Sequence, residues 1–172
     1  TLGRNLLRFQ EKASIRSSNS SGADSELMKK ADRFAEESLI QTILQGFTRD
    51  AIISEEAGEL GGDGEFQWWI DPVDGTRNFI HGLPMFCISV GLCFRGTPIG
   101  GIVHAPAFSD TYTAILGNGA EKNLKSILVS GLMDIRRALV VAGLPYHRDE
   151  ILTDLLADIS AFVTSGAGLR RT

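Results

Sequence analysis

The sequence predicts a mixed α/β protein of α+β character, and the order of its predicted elements indicates this class. Two helical segments come first, at residues 2–13 and about 24–45. A run of short strand patterns separated by glycine-rich turns follows, which is typical of an antiparallel sheet. A valine-rich strand and an amphipathic helix come last, in the order of an α/β unit.

The two N-terminal helices are predicted from apolar residues at helical spacing. Residues 17–24 lie between them and are rich in serine, asparagine and glycine, which predicts a loop. Asp24 or Ser25 is a suitable N-cap for the second helix. Gly46 marks its end, since glycine is favoured just beyond a helix.

The strands are predicted from runs of β-branched and aromatic residues. The predicted strands are residues 51–54, 67–70, 86–94, 99–104, 110–116, 124–130 and 138–142. Residues 58–64 are acidic and glycine-rich and predict a loop. Pro72 lacks an N–H and has a fixed φ, so we expect the strand before it to end at Ile70. Asp149 is the expected cap of the final helix.

The composition is that of an ordinary globular protein, with 172 residues, 43% hydrophobic residues and a net charge of −4. This charge argues against nucleic acid as a partner, because such binding usually needs a basic face. No apolar run is long enough to span a membrane, and no signal-peptide pattern is present. Cys87 and Cys93 lie too far apart along one predicted strand to bond, so we predict reduced cysteines and a cytoplasmic protein.

The most informative stretch is an apolar run that ends in Asp71 and Asp74, with Pro72 between them and Gly75 after them. Two carboxylates this close repel each other unless a cation lies between them or one keeps its proton. Carboxylate oxygens, with the Val73 carbonyl as a further donor, favour magnesium, calcium or manganese. The alternative is a solvated turn, because Asp, Pro and Gly are common turn residues.

A second apolar run, at residues 51–54, also ends in acids, at Glu55 and Glu56. Two strand ends that both terminate in carboxylates indicate one shared metal site. Gly75 and Thr76 open a short predicted helix, and the free N–H groups at such a helix start can hold a phosphate.

These segments resemble the inositol monophosphatase family of magnesium-dependent sugar phosphatases. The resemblance is carried by Ile-Ser-Glu-Glu at residues 53–56 and by Trp-Ile-Asp-Pro-Val-Asp-Gly-Thr-Arg-Asn-Phe at residues 69–79. It implies a layered αβαβα sandwich with an antiparallel first sheet. A metal-binding domain would cover residues 1–130, and an incomplete second α/β domain residues 131–172. The resemblance also implies a homodimer.

The activity implied is hydrolysis of a phosphate monoester by a metal-activated water, with two or three Mg²⁺ ions that Mn²⁺ or Ca²⁺ could replace. Glu55, Asp71 and the Val73 carbonyl would hold one ion. Asp71 and Asp74 would hold a second. Asp71 therefore bridges both ions and is the residue on which this hypothesis depends most.

The remaining site roles follow from the same resemblance. Glu55 and Thr76 would orient the attacking water, and Asp74, Gly75 and Thr76 would bind the substrate. Asp32 matches the aspartate of the family's Thr-x-x-Asp helix opening, although the threonine is absent here. Its implied role is to accept a hydrogen bond from Thr76, which orients the catalytic residue.

The implied substrate is a small phosphorylated polyol or sugar, with inositol 1-phosphate first. Archaeal-type fructose bisphosphatases share the same motif pattern, so fructose 1,6-bisphosphate is a second candidate substrate. Histidinol phosphatase relatives also carry Thr-Arg after the glycine, so Arg77 keeps histidinol phosphate as a third. Family members also carry a later Trp-Asp-x-Ala-Ala-Gly segment that completes the second metal site, and this sequence has none. We therefore weigh a fragment, a partner-completed site or a truncated, non-catalytic phosphatase-like protein.

Overall fold

The computed structural model describes residues 1–16, 21–143 and 151–171. The chain divides into two compact units, Thr1–Ile127 and Leu128–Thr172. The helices are α1 (Leu2–Arg16), α2 (Ser21–Gly46), α3 (Thr76–Ile80) and α4 (Leu152–Thr164). The strands are β1 (Ala51–Ser54), β2 (Gly58–Leu60), β3 (Phe66–Asp74), β4 (Cys87–Phe94), β5 (Thr97–Ala105), β6 (Asp110–Ile115), β7 (Gly119–Lys122), β8 (Lys125–Ile127), β9 (Leu139–Ala142) and β10 (Gly168–Arg171).

The first unit is built on one eight-stranded sheet in the order β2-β1-β3-β4-β5-β6-β7-β8. Strands β1 and β3 are parallel, and every other neighbouring pair in this sheet is antiparallel. Helices accompany this mostly antiparallel sheet, so the predicted mixed α/β class is confirmed. The single parallel pair matters most for the site, because it brings the ends of two strands to the same edge.

The prediction that the strand ends before Pro72 is wrong. β3 runs from Phe66 through Pro72 to Asp74. Its pairing with β4 shifts between Asp71 and Asp74, which is a local irregularity of the β-bulge kind. A bulge interrupts the regular ladder, and proline is tolerated there because its missing N–H breaks no regular hydrogen bond.

Three other predicted boundaries differ from the structure. The predicted loop at residues 58–64 contains β2, which pairs with β1 as an edge strand. The predicted strand at residues 124–130 is shorter in the structure, because β8 spans only Lys125–Ile127. α2 begins at Ser21, inside the predicted loop, while residues 17–20 lie outside the described residues. For β2, the pairing with β1 overrides the local turn composition.

Helices α1, α2 and α3 bury one face of the sheet. The main core cluster joins α1, α2 and α3 to β3 and β4, through Leu6, Met28, Ala31, Ala35, Val73, Phe79, Phe86 and Ile88. A second cluster packs Ile43 of α2 against Ile52 and Ile70. Phe79 is 1% exposed and meets Phe86 edge to face, with ring centroids 5.0 Å apart. This packing fixes the β3–α3 connection that carries the candidate site.

The opposite face of the sheet has small side chains at its centre. Gly91 pairs with Gly101, Gly101 with Ala114, and Ala114 with Ala120. These four residues line a groove of about 330 Å³, which Ile127 borders at one side. The row gives this face a shallow trough across four neighbouring strands.

The second unit is small and little buried. β9 and β10 form a parallel pair, which confirms the predicted valine-rich strand. α4 follows the expected helical pattern, but none of its residues is buried. Its expected cap, Asp149, lies outside the described residues. No helix in the described ranges is long and apolar enough to cross a membrane.

Candidate metal-binding site

Strands β1 and β3 deliver acidic residues to one edge of the sheet. Ser54, the last residue of β1, lies beside Ile70 in the parallel pairing. Glu55 and Asp71 are the next residue on each strand, and the Glu55 N–H donates to the Ile70 carbonyl at 3.2 Å. The parallel register therefore brings the two acids that the sequence predicts to share a site into direct proximity.

Asp71 is the acid on which the others converge. Burial raises the pKa of Asp71 to about 7, helped by the charge of Glu55, a hydrogen bond shared with the Glu55 side chain, and the charge of Asp74. The side chain is half-buried, whereas Glu55 and Asp74 are exposed. A carboxyl group among like charges either keeps its proton or is stabilised in its ionised form by a nearby cation. This is the physical basis for proposing a metal site here.

Asp32 of α2 faces the same acidic group. Burial raises the pKa of Asp32 to about 7, followed by the charges of Glu56, Glu55 and Glu36. The expected hydrogen bond from Thr76 to Asp32 is not what the structure shows. The Thr76 hydroxyl donates instead to the Val73 carbonyl at 3.3 Å. Val73 lies three positions before Thr76 in the sequence, so the local turn supplies the acceptor.

Cys87 is a neighbour of the site. The sequence predicts only a reduced cysteine at this position. It lies opposite Asp74 in the β3–β4 pairing, and its thiol donates to Asp74 Oδ2 at 3.6 Å. Burial raises the pKa of the Cys87 thiol to about 11, and the Asp74 charge adds to this. The register after the bulge creates this contact, and no motif in the sequence indicates it.

Gly75 makes the sharp connection between β3 and α3 possible. Its φ is 89°, in the left-handed region, and it is the N-cap of α3. A Cβ here would lie 2.7 Å from the Met85 carbonyl oxygen. The first helical hydrogen bond is donated by the Phe79 N–H to the Gly75 carbonyl at 2.9 Å. The predicted turn and short helix are confirmed, and only glycine fits the turn without strain.

The donor set fits a hard divalent cation in chemical type. Two carboxylates, those of Glu55 and Asp71, are in contact, Asp74 follows on the same strand, and the Val73 carbonyl lies between the two aspartates. All are oxygen donors, which magnesium, calcium and manganese prefer. Within the described ranges, no group of three or more His, Cys, Asp or Glu side chains is arranged to hold a metal ion. The residues that would hold such a cation are Glu55, Asp71, Asp74 and Val73, the last through its carbonyl oxygen.

An open groove of about 430 Å³ adjoins the acids on the face away from the helices. Ile53, Trp69 and Gly91 form its apolar part, and Trp69 is 50% exposed. Glu55, Asp71 and Ser89 form its polar end. The arrangement places a mixed apolar and polar surface directly beside the carboxylates.

The fold and the acidic strand ends define a class of mixed α/β proteins with a carboxylate site at the edge of a mostly antiparallel sheet. The model of the inositol monophosphatase family matches residues 5–172. The chain belongs to this family, which is a family of phosphatases.

Individual relatives agree with this assignment. The chain is 33% identical to the "Nus factor SuhB" of Pseudomonas aeruginosa, over 98% of this chain and 64% of that protein. It is 40% identical to the "Fructose-1,6-bisphosphatase/inositol-1-monophosphatase" of Aquifex aeolicus, over 66% of this chain and 43% of that protein. A solved inositol monophosphatase from Anabaena superposes with a TM-score of 0.78 at 30% identity, covering 98% of this chain and 66% of that one. The chain thus spans less than two thirds of the length of each of these relatives.

Proposed function

We propose that this chain carries the metal-binding part of a magnesium-dependent phosphate monoesterase. The observation that supports this most is the convergence of Glu55 and Asp71 from two parallel strands, with Asp74 on the same strand end. Membership of a phosphatase family supports the same reaction class. Oxygen donors of this type suit Mg²⁺, and Mn²⁺ or Ca²⁺ would bind the same set.

The residues would divide the work as follows. Asp71, Glu55 and the Val73 carbonyl would hold a divalent cation, and Asp71 with Asp74 a second. Such a cation supplies a polarised water and offsets the charge that develops on the phosphate ester. Glu55 would accept the proton of that water at its carboxylate. The Thr76 hydroxyl donates a hydrogen bond to the Val73 carbonyl. Its oxygen would therefore be left to accept a hydrogen bond from the water.

The start of α3 would bind the substrate phosphate. The N–H groups of Gly75 and Thr76 precede the first helical hydrogen bond, which the Phe79 N–H donates, so the helix does not use them. Asp74 would contact the substrate from the strand side. The exposed position of Asp74 and Thr76 supports this role, since both residues reach solvent at the start of α3.

The substrate class we propose is a small phosphorylated polyol or sugar, with inositol 1-phosphate preferred. A groove with one aromatic wall beside the carboxylates suits the hydroxylated ring of such a molecule. Fructose 1,6-bisphosphate is the second candidate, because the Aquifex relative is named for both activities. Histidinol phosphate is the third. A cytoplasmic homodimer remains our expectation for the whole protein.

The test is a calorimetric titration of the chain with Mg²⁺, with Asp71→Asn as the matched variant. We expect saturable binding in the wild type and a loss of about tenfold or more in the variant, because one carboxylate ligand is removed. Phosphate release from inositol 1-phosphate, fructose 1,6-bisphosphate and histidinol phosphate is measured on the same samples and is expected to disappear in Asp71→Asn. A wild type that does not bind divalent cations would refute the proposal.

A non-catalytic role is the alternative function. Several relatives carry the name "Nus factor SuhB", which names no enzymatic activity. The trough centred on Gly91, Gly101 and Ala114 offers an open apolar surface for contacts with another protein. Magnesium binding with no turnover of any of the three substrates would favour this alternative.

A further inference from the structure

A carboxylate on α2 holds both ends of the turn that carries Glu55. Glu36 lies one helical turn after Asp32, and its Oε1 accepts a hydrogen bond from the Ser54 hydroxyl. The same oxygen accepts a second hydrogen bond from the Ala57 N–H at 3.0 Å. Ser54 and Ala57 flank Glu55 and Glu56 on either side, so a single oxygen atom brackets the acidic pair.

The bracketed turn is also tied to the sheet. The Glu55 N–H donates to the Ile70 carbonyl at 3.2 Å. Ser54 is only 3% exposed, so its hydroxyl needs a partner inside the protein, and Glu36 is that partner. The backbone of Glu55 is therefore held from α2 on one side and from β3 on the other.

In the metal-free chain, the charge of Glu36 does not stabilise the acidic group electrostatically. Glu36 adds a negative charge close to Asp32, which already faces Glu55 and Glu56. Like charges at this range are unfavourable. The gain from Glu36 lies in its two hydrogen bonds, and bonds to an ionised acceptor are stronger than those between neutral groups.

We propose that Glu36 is a positioning residue that fixes the Glu55 carboxylate for cation binding by clamping the turn at residues 54–57. This inference rests on the proposed function, since it concerns the orientation of a ligand in the same site. Residues that orient metal ligands affect affinity although they do not touch the metal.

Three variants separate the clamp from ordinary packing of α2. Glu36→Gln keeps an acceptor oxygen at the same reach, Glu36→Ala removes both hydrogen bonds, and Glu37→Ala is the control on the same helix. Glu37 is exposed and pairs with Arg33, so its loss leaves the turn intact. We expect Glu36→Ala to weaken Mg²⁺ binding about tenfold in calorimetry. Glu36→Gln and Glu37→Ala should remain within about threefold of wild type.

A double-mutant cycle shows whether the effect passes through Glu55. In a Glu55→Gln background, we expect Glu36→Ala to change Mg²⁺ affinity by less than about twofold, because the ligand it positions is already neutralised. The same weakening in both backgrounds would overturn the inference. Amide exchange of Ala57 in the metal-free chain gives a second readout, and faster exchange is expected in Glu36→Ala.

Two further results keep this test decisive. If Glu36→Ala does not fold, Ser54→Ala removes one of the two hydrogen bonds and is expected to weaken binding about threefold. Wild-type affinity in a folded Ser54→Ala or Glu36→Ala variant would overturn the inference while leaving the proposed function intact. A wild-type chain that binds no Mg²⁺ would instead overturn the proposed function.

Discussion

Asp71 combines a proposed role as a metal ligand with an unfavourable electrostatic environment. It is half-buried beside Glu55 and Asp74, and its pKa is raised to about 7 as a result, chiefly by burial. A group in this situation destabilises the folded, metal-free chain when it is ionised. A divalent cation held by these carboxylates would stabilise the folded chain, because the unfolded chain does not bring them together.

We predict that the metal-free chain becomes less stable as the pH rises from about 4 to about 7. In the folded chain, Asp71 and Asp32 have pKa values of about 7 and keep their protons up to that pH. In the unfolded chain, both lose their protons near pH 3.8, the ordinary pKa of an aspartate. The stabilising contribution is therefore complete below about pH 4 and is lost as the pH passes about 7.

The measurement is urea unfolding of the metal-free chain across this pH range, with Asp71→Asn as the comparison. We expect the wild type to lose on the order of 1 kcal/mol more than the variant, a discounted figure because the side chain is partly solvated. Mg²⁺ at a concentration that saturates the wild type should remove most of the wild-type loss and should stabilise the variant much less. Equal pH dependence in both proteins would contradict the prediction.

At the level of single residues, the sequence was informative wherever residue type alone decides the chemistry. Asp71, Asp74 and Glu55 are recognisable because carboxylates follow apolar runs. The Cys87–Asp74 contact and the Glu36 clamp were not predictable, because both depend on register between distant elements. The Thr76 hydroxyl donates to the Val73 carbonyl rather than to Asp32, because a backbone carbonyl three positions earlier competes with any partner on another element.

At the level of elements, the connection between β3 and α3 depends on one glycine. Gly75 has a φ of 89° and no room for a side chain beside the Met85 carbonyl. Gly96 has a similar φ of 77°, but a Cβ added there would have no atom within 4 Å. Comparing substitutions at Gly75 and Gly96 therefore separates the cost of the backbone conformation from the cost of the steric contact.

We predict that Gly75→Ala destabilises the chain by about 2–4 kcal/mol, because it adds a close contact to the left-handed conformation. Gly96→Ala should cost only about 1–2 kcal/mol, the conformational part alone. Chemical unfolding at one pH measures both. Equal losses in the two variants would show that the Met85 carbonyl moves aside without cost.

The element boundaries show which sequence rules are local. Residues 51–54 and 138–142 were assigned to strands from composition, and both form strands in the structure. Pro72 was expected to stop β3, but the bulge against β4 accommodates it. The presence of a bulge depends on the partner strand, and a single stretch of sequence does not contain that information.

At the level of the whole molecule, the two units differ in how much they bury. The first unit holds both core clusters, while α4 in the second has no buried residue and β9 pairs with one strand only among the described residues. Local stability follows the number of buried apolar contacts and the protection of backbone hydrogen bonds. The units are therefore expected to open at different free energies.

Native-state hydrogen exchange followed by NMR tests this expectation. Amides of Ile70 and Val90, in the centre of the large sheet, should exchange only near global unfolding. Amides of Val140 and Val141 should exchange at least about 100-fold faster, which corresponds to a difference of about 2.7 kcal/mol. Comparable protection in both units would contradict the prediction.

The trough on the large sheet contains glycines that can be replaced by alanine without a steric clash. A methyl group at Gly91 or Gly101 would meet its nearest atoms at 3.8 and 3.5 Å, which are ordinary contact distances. Alanine at these positions should therefore be neutral for the chain by itself. If another protein packs against this surface, the same alanine substitutions should weaken its binding. The size of that loss of affinity would show how closely the partner approaches Gly91 and Gly101.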